Sequence, residues 1–237
     1  MVAVSEAVED LVDANRILAN KGIVDGFGHV SCRSGEDRFL LSRNLAPALV
    51  TSADILEFDL DSEPIEHDTR LLYLERYIHG EIYRLRPDVG AIVHSHSPSL
   101  IPFGLVPTVR LEPVWHMAGF LGGGAPVFEI RDVAGDASDL LIRNRTLGKA
   151  LAERMMDGNL VLMRGHGVTV VGGDVRQATY RAIYAELNAT LQLSARMLGT
   201  PTPLTEGEAM AAMDMVERQS GRAWNLWKDE LRAGHSG

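Results

Sequence analysis

The chain has 237 residues, 46% of them apolar, enough for one substantial domain or two small ones around a buried core, so disorder is excluded as its main theme. Lys and Arg total 23 against 32 Asp and Glu, and the net charge of −9 repels nucleic acid and anionic membrane where no basic patch overrides it; none is seen. Cys32 is the single cysteine, which rules out an intrachain disulfide and a thiolate zinc cage and makes the cytoplasm the expected compartment.

In chain order, Val4, Ala7, Val8, Leu11, Val12, Ile17 and Leu18 recur at helical spacing and predict a helix over 4–20, stopped by Gly22. Glu6, Glu9 and Asp10 do not follow the basic-then-apolar order of a signal peptide, so this segment reads as mature protein. Uninterrupted apolar stretches fall far short of the ~20 residues that cross a bilayer. Gly28 to Arg33 and Arg38 to Ser42 read as strands joined by a hairpin at Ser34-Gly-Glu-Asp37, with Ile55 to Phe58 as another strand. A helix is predicted from about Leu71 to Leu85, ended by Arg86-Pro87 because proline cannot continue the hydrogen-bond ladder.

Ala91 to His96 reads as a buried strand ended by Pro98, and 101–130 as a loop-rich passage with a hinge at Gly122 to Gly124. The second half alternates again: a helix near 145–157, a strand at Leu160 to Met163, a turn at Arg164-Gly-His-Gly167, a strand at Val168 to Val171 and a long helix from Val175 to Leu198. One final helix is predicted from about Thr205 to Leu231, with Trp224 and Trp227 on one face. The expectation is a single mixed α/β domain over 1–237 with helices on both faces of a sheet.

Of eight histidines, His94 and His96 matter most, because the two-residue period of a strand projects both imidazoles from one face, close enough to share a cation, although a bare His-x-His also suits two solvated histidines on an exposed strand. Ala91-Ile-Val93 places them at the end of a core strand, where sites on α/β sheets open. His166, with glycines on either side, suits a third ligand or a turn histidine bonded to local backbone. Glu75 and His79, one turn apart on the helix before the proline, read most simply as a solvated face.

The gapless run from Glu75 through Pro87 to His94-Ser-His96, with Gly28-His-Val-Ser-Cys-Arg33 upstream and Arg164-Gly-His166-Gly167 downstream, resembles the class II aldolase/adducin family over roughly residues 5 to 200. The resemblance implies a three-layer αβα sandwich around a mainly antiparallel central sheet and a homotetramer with sites at subunit interfaces. It also implies one divalent metal per subunit (zinc, manganese, iron or cobalt) held by His94, His96 and His166, with Glu75 as acid/base and candidate fourth ligand.

The pattern departs from sugar-phosphate aldolases where those hold phosphate: Gly28-His29, Ser42-Arg43-Asn44 and Tyr73-Leu74 replace the family's hydroxyl and amide contacts. His116 stands where the aldolases carry a tyrosine acid. These features, with Ile101-Pro-Phe-Gly104 and Tyr184-Ala-Glu-Leu-Asn-Ala189, are most similar to the branch that decarboxylates hydroxylated aromatic or pyridine dicarboxylates. On that reading Glu75 or His116 reprotonates the ring carbon, and His29 and Arg43, beside Ser42 and Tyr73, grip a small anionic substrate. Arg43 also suits a loop ion pair, and Tyr180 and Tyr184 suit packing. A sugar aldolase or epimerase and a non-catalytic adducin-like binding domain are the alternatives.

Overall fold

A computed structural model describes residues 2–234. Helix α1 (Val2–Asn20) leads into an antiparallel meander of β1 (His29–Arg33), β2 (Arg38–Ser42) and β3 (Ile55–Asp59), followed by α2 (Arg76–Leu85) and β4 (Ala91–Ser95). The middle of the chain holds the short α3 (Ile101–Leu105), β5 (Val127–Phe128) and α4 (Arg131–Ala134), with a 3-10 segment at His116–Leu121. Then come α5 (Arg145–Met155), β6 (Leu160–Met163), β7 (Gly167–Gly172), α6 (Val175–Leu198), α7 (Glu206–Glu217) and α8 (Ser220–Gly234). The strands form one open sheet in the order β3-β2-β1-β4-β7-β6-β5, antiparallel except for the β5–β6 pair.

Strand alternation divides the interior into two cores. In β4, Ala91 and Val93 face Leu11 and Leu18 of α1, Tyr180 of α6 and both tryptophans of α8. Ile92 faces the other way, with Ile78 and Ile82 of α2 and Leu147 and Leu151 of α5. Helices therefore cover both faces, and the molecule is the expected αβα sandwich.

Three expectations change. Helix α2 begins at Arg76 rather than Leu71, because Asn44 N–H bonds the Leu71 carbonyl and the Tyr73 hydroxyl donates to Leu45 O, tying 71–73 to the loop after β2 and leaving Glu75 at the helix cap. The passage over 101–130 contains α3, the 3-10 segment and β5 rather than loop alone. The final helix is two helices. Helix α7 starts on a reciprocal Thr205–Glu208 capping box and ends at Glu217, whose carboxylate is held by Arg181 at 2.6 Å. One straight rod could not both lay Ala209 on Gly119 and bury Trp224 under α1 and α6.

Candidate metal centre

The site grows from one parity of the sheet. His29 of β1 is paired in register with His94 of β4, which is paired in turn with Thr169 of β7. His29, Ser31, His94 and Thr169 therefore share the face covered by α2. From above, Glu75 at the α2 cap and His79 and Tyr83 on the helix recur at four-residue intervals and descend on that polar strip.

The fourth side chain arrives by a turn. Gly165 adopts φ +67°, a left-handed conformation that favours glycine, and a side-chain carbon at Gly167 would collide with the Ser95 carbonyl. The backbone can thus lie against the end of β4 and swing His166 over it.

Glu75, His94, His96 and His166 each offer one ligand atom, all within 4.8 Å of one another. Glu75 Oε2 lies 3.6 Å from His94 Nε2 and 3.4 Å from His166 Nε2. Supporting groups fix which nitrogen faces inward. His166 Nδ1–H donates to Leu140 O at 2.9 Å, so its Nε2 faces inward, toward Glu75 Oε2 and His96 Nε2. The Thr169 hydroxyl donates to Met163 Sδ and can accept His94 Nδ1–H at 3.4 Å, which leaves the His94 Nε2 lone pair inward. Glu75 Oε1 accepts the Ile142 N–H at 2.9 Å, which aims Oε2 at the imidazoles.

Burial lowers the pKa of His94, helped by the nearby imidazoles, and burial likewise lowers that of His96. Burial alone would raise the Glu75 carboxyl, but the His166 hydrogen bond and the neighbouring imidazoles outweigh it and hold it at about 2. For His166 the same bond and charge outweigh desolvation and raise the pKa. A divalent cation fits this set: three inward nitrogens, one carboxylate oxygen, and a buried His94 Nε2 with no hydrogen-bond partner among the described residues.

Of the expected substrate residues, the structure brings His29 and Tyr73 to this centre. The His29 ring lies 4.6 Å from that of Tyr73 and 5.0 Å from that of His94. Ser42 Oγ is buried with no hydrogen-bond partner within ordinary reach among the described residues. Arg43 forms the loop ion pair, its Nε–H bonding Asp54 Oδ1 at 2.7 Å. His116 is not brought to the centre. It lines a separate groove with Met117, Tyr180, Tyr184 and Trp227 that none of the four clustered residues borders.

The solvated-face reading of Glu75 and His79 is overturned, because both are buried and His79 is fully so. His79 Nε2 lies 2.7 Å from His29 Nδ1 and its Nδ1 lies 2.6 Å from Ser31 Oγ, which in turn meets the Tyr83 hydroxyl at 2.8 Å. Sequence reasoning missed this buried row. Its signal was the four-residue recurrence of Glu75, His79 and Tyr83 opposite His29-x-Ser31.

Residues 9–193 match the family described as the class II aldolase and adducin N-terminal domain. The chain belongs to that family. Its class II aldolase members use a divalent metal, and this member carries a His/Glu cluster able to hold one. Similar proteins include decarboxylase tropJ of Talaromyces stipitatus, 37% identical over 96% of this chain and 94% of that one. The 3,4-dihydroxyphthalate decarboxylase of Arthrobacter keyseri is 34% identical, covering 81% of this chain and 80% of its own. Among solved structures, an L-fuculose 1-phosphate aldolase superposes with a TM-score of 0.76 at 20% identity over 89% of this chain and 96% of its own, a likeness of fold. The resemblance to the decarboxylase branch, read first from the residues, is borne out by these relatives.

Proposed function

We propose that this family member is a metal-dependent carbon–carbon lyase that decarboxylates a hydroxylated aromatic or pyridine dicarboxylate such as a dihydroxyphthalate. The observation that carries the reading is the pairing of an intact Glu75–His94–His96–His166 cluster with a wall of His29 and Tyr73, ring faces suited to a flat substrate rather than to a phosphate. The names of the similar decarboxylases support it.

His94, His96, His166 and Glu75 would hold the ion, which when bound supplies a Lewis acid for the charge that develops beside the scissile carbon. Glu75, ionised at rest, takes the phenolic proton as substrate binds and returns it to the carboxylate-bearing ring carbon. The bond to the carboxylate then breaks, CO₂ departs, the electron pair remains in the ring and its oxygen, and the released phenolate takes a proton from water. Tyr73 and His29 hold the ring in place. His116 lines a groove that its own chain's cluster does not border, and we assign it to a neighbouring subunit's site in a homotetramer whose sites lie at interfaces.

The test is CO₂ release by protein reconstituted with zinc, manganese, iron or cobalt. The panel is 3,4- and 4,5-dihydroxyphthalate, a hydroxypyridine dicarboxylate and fuculose 1-phosphate. Metal-dependent CO₂ from an aromatic diacid supports the reading; cleavage of the sugar phosphate with no CO₂ from the acids overturns it.

A further inference from the structure

Four side chains that titrate or carry hydroxyls form a single file under α2. Tyr83 OH meets Ser31 Oγ, Ser31 Oγ meets His79 Nδ1, and His79 Nε2 meets His29 Nδ1, at 2.8, 2.6 and 2.7 Å. All four residues are at most 3% exposed, so a proton left without an acceptor inside the row is costly.

Counting protons decides the direction. Three bonds join four groups, each carrying one hydrogen when the imidazoles are neutral. If His29 donated down the row, His79 would donate to Ser31, Ser31 to Tyr83, and the spare hydrogen would sit on the Tyr83 hydroxyl, whose one hydrogen-bond partner among the described residues is Ser31. If both Tyr83 and His79 donated to Ser31, the hydrogen of Ser31 itself would be stranded. One arrangement leaves no spare hydrogen in the sealed part of the row: Tyr83 donates to Ser31, Ser31 to His79 Nδ1, and His79 Nε2–H to His29 Nδ1. The spare hydrogen then lies at the end of the row on His29 Nε2, which has no hydrogen-bond partner among the described residues but is not sealed from solvent as His94 Nε2 is, on a ring beside Tyr73 and His94.

We infer that the Ser31–His79 row locks His29 as its Nε2–H tautomer, making it a fixed hydrogen-bond donor to an oxygen of the substrate rather than a proton acceptor or a metal ligand. Ser31 and His79 are thus positioning residues for His29. The role in binding an oxyanion rests on the decarboxylase reading; the tautomer does not.

The two ends of the row make unequal predictions. In Tyr83→Phe, the Ser31 hydroxyl still has His79 Nδ1 as its acceptor, so the direction is retained. In Ser31→Ala, His79 Nδ1 faces no hydroxyl and either ring can donate to the other.

Nitrogen NMR of histidine-labelled, zinc-loaded protein at about pH 8, where ordinary imidazoles are neutral, reads this directly. His29→Asn identifies the resonance. The expected spectrum shows His29 Nε2 as the protonated nitrogen in the native protein and in Tyr83→Phe, with its shift moving toward the average of the two tautomers in Ser31→Ala. A native His29 carrying its proton on Nδ1, or a Ser31→Ala spectrum identical to the native one, overturns the inference. Should Ser31→Ala fail to fold, the native spectrum decides. These spectra need no substrate, so failure of the substrate panel would sink the decarboxylase reading while leaving this result standing.

Discussion

His166 Nε2 and His96 Nε2 lie 3.1 Å apart. Because Leu140 O takes the Nδ1–H of His166, two inward lone pairs would repel at that separation unless a proton or a cation lies between them. The pair is arranged for a positive charge that both can share.

Removing one ligand should therefore empty the centre. His94→Ala is expected to lose bound metal, by elemental analysis per protomer, and to lower turnover by at least about a hundredfold while the circular dichroism spectrum is kept. Retained metal and full activity would refute the site.

Thr169 never touches the cluster's centre, yet it receives His94 Nδ1–H. Thr169→Val should weaken metal affinity by about tenfold to a hundredfold in chelator competition, with the fold intact, because the ring loses the partner that sets its tautomer.

His79 should make stability fall in mild acid. Its pKa is lowered from 6.5 to about 3, mainly by burial, against the opposing charge of Glu75. The groups facing it are His29 and Ser31 of β1 and Phe39 of β2, with Glu75 on its own side. Between these two pKa values the unfolded chain binds the proton and the folded one does not, so the contribution is complete above 6.5 and shrinks as pH falls. At about pH 5 the loss from this residue comes to about 2 kcal/mol. Denaturant titrations of His79→Gln should show a flatter dependence over that window; an unchanged slope would contradict the assignment.

Subunit mixing tests where His116 acts. Protein carrying His116→Ala and protein carrying His94→Ala should each be weak, and co-refolding them should restore part of the activity, since some sites then combine an intact metal cluster with an intact His116. No recovery in mixed oligomers would remove His116 from the reaction.

The site was legible where its geometry is local. His94 and His96 share a face because a strand has a period of two, whereas the glycines beside His166 left ligand and turn histidine open until the family resemblance chose between them. The αβα layering followed from the alternation of elements. Illegible parts depended on contacts distant in sequence. Nothing near Arg43 announces that Asp54, after a loop, will take its guanidinium. The polarity of His79 suggested solvent, whereas Ser31 and His29, about fifty positions earlier, satisfy it inside the molecule. The break between α7 and α8 is set by Arg181 and Gln177 holding Glu217, a tertiary demand that overrides an unbroken helical pattern.

The centre draws its imidazoles from β4 and from the turn entering β7, its neighbour in the sheet. Neighbouring strands are spaced by their hydrogen bonds at about 4.8 Å, and the His94 and His166 rings stand 5.0 Å apart. The sheet is thus the ruler that sizes the cavity. Side-chain substitutions can change which ions are preferred, but the span itself belongs to the backbone ladder, and resizing it would call for a new strand register.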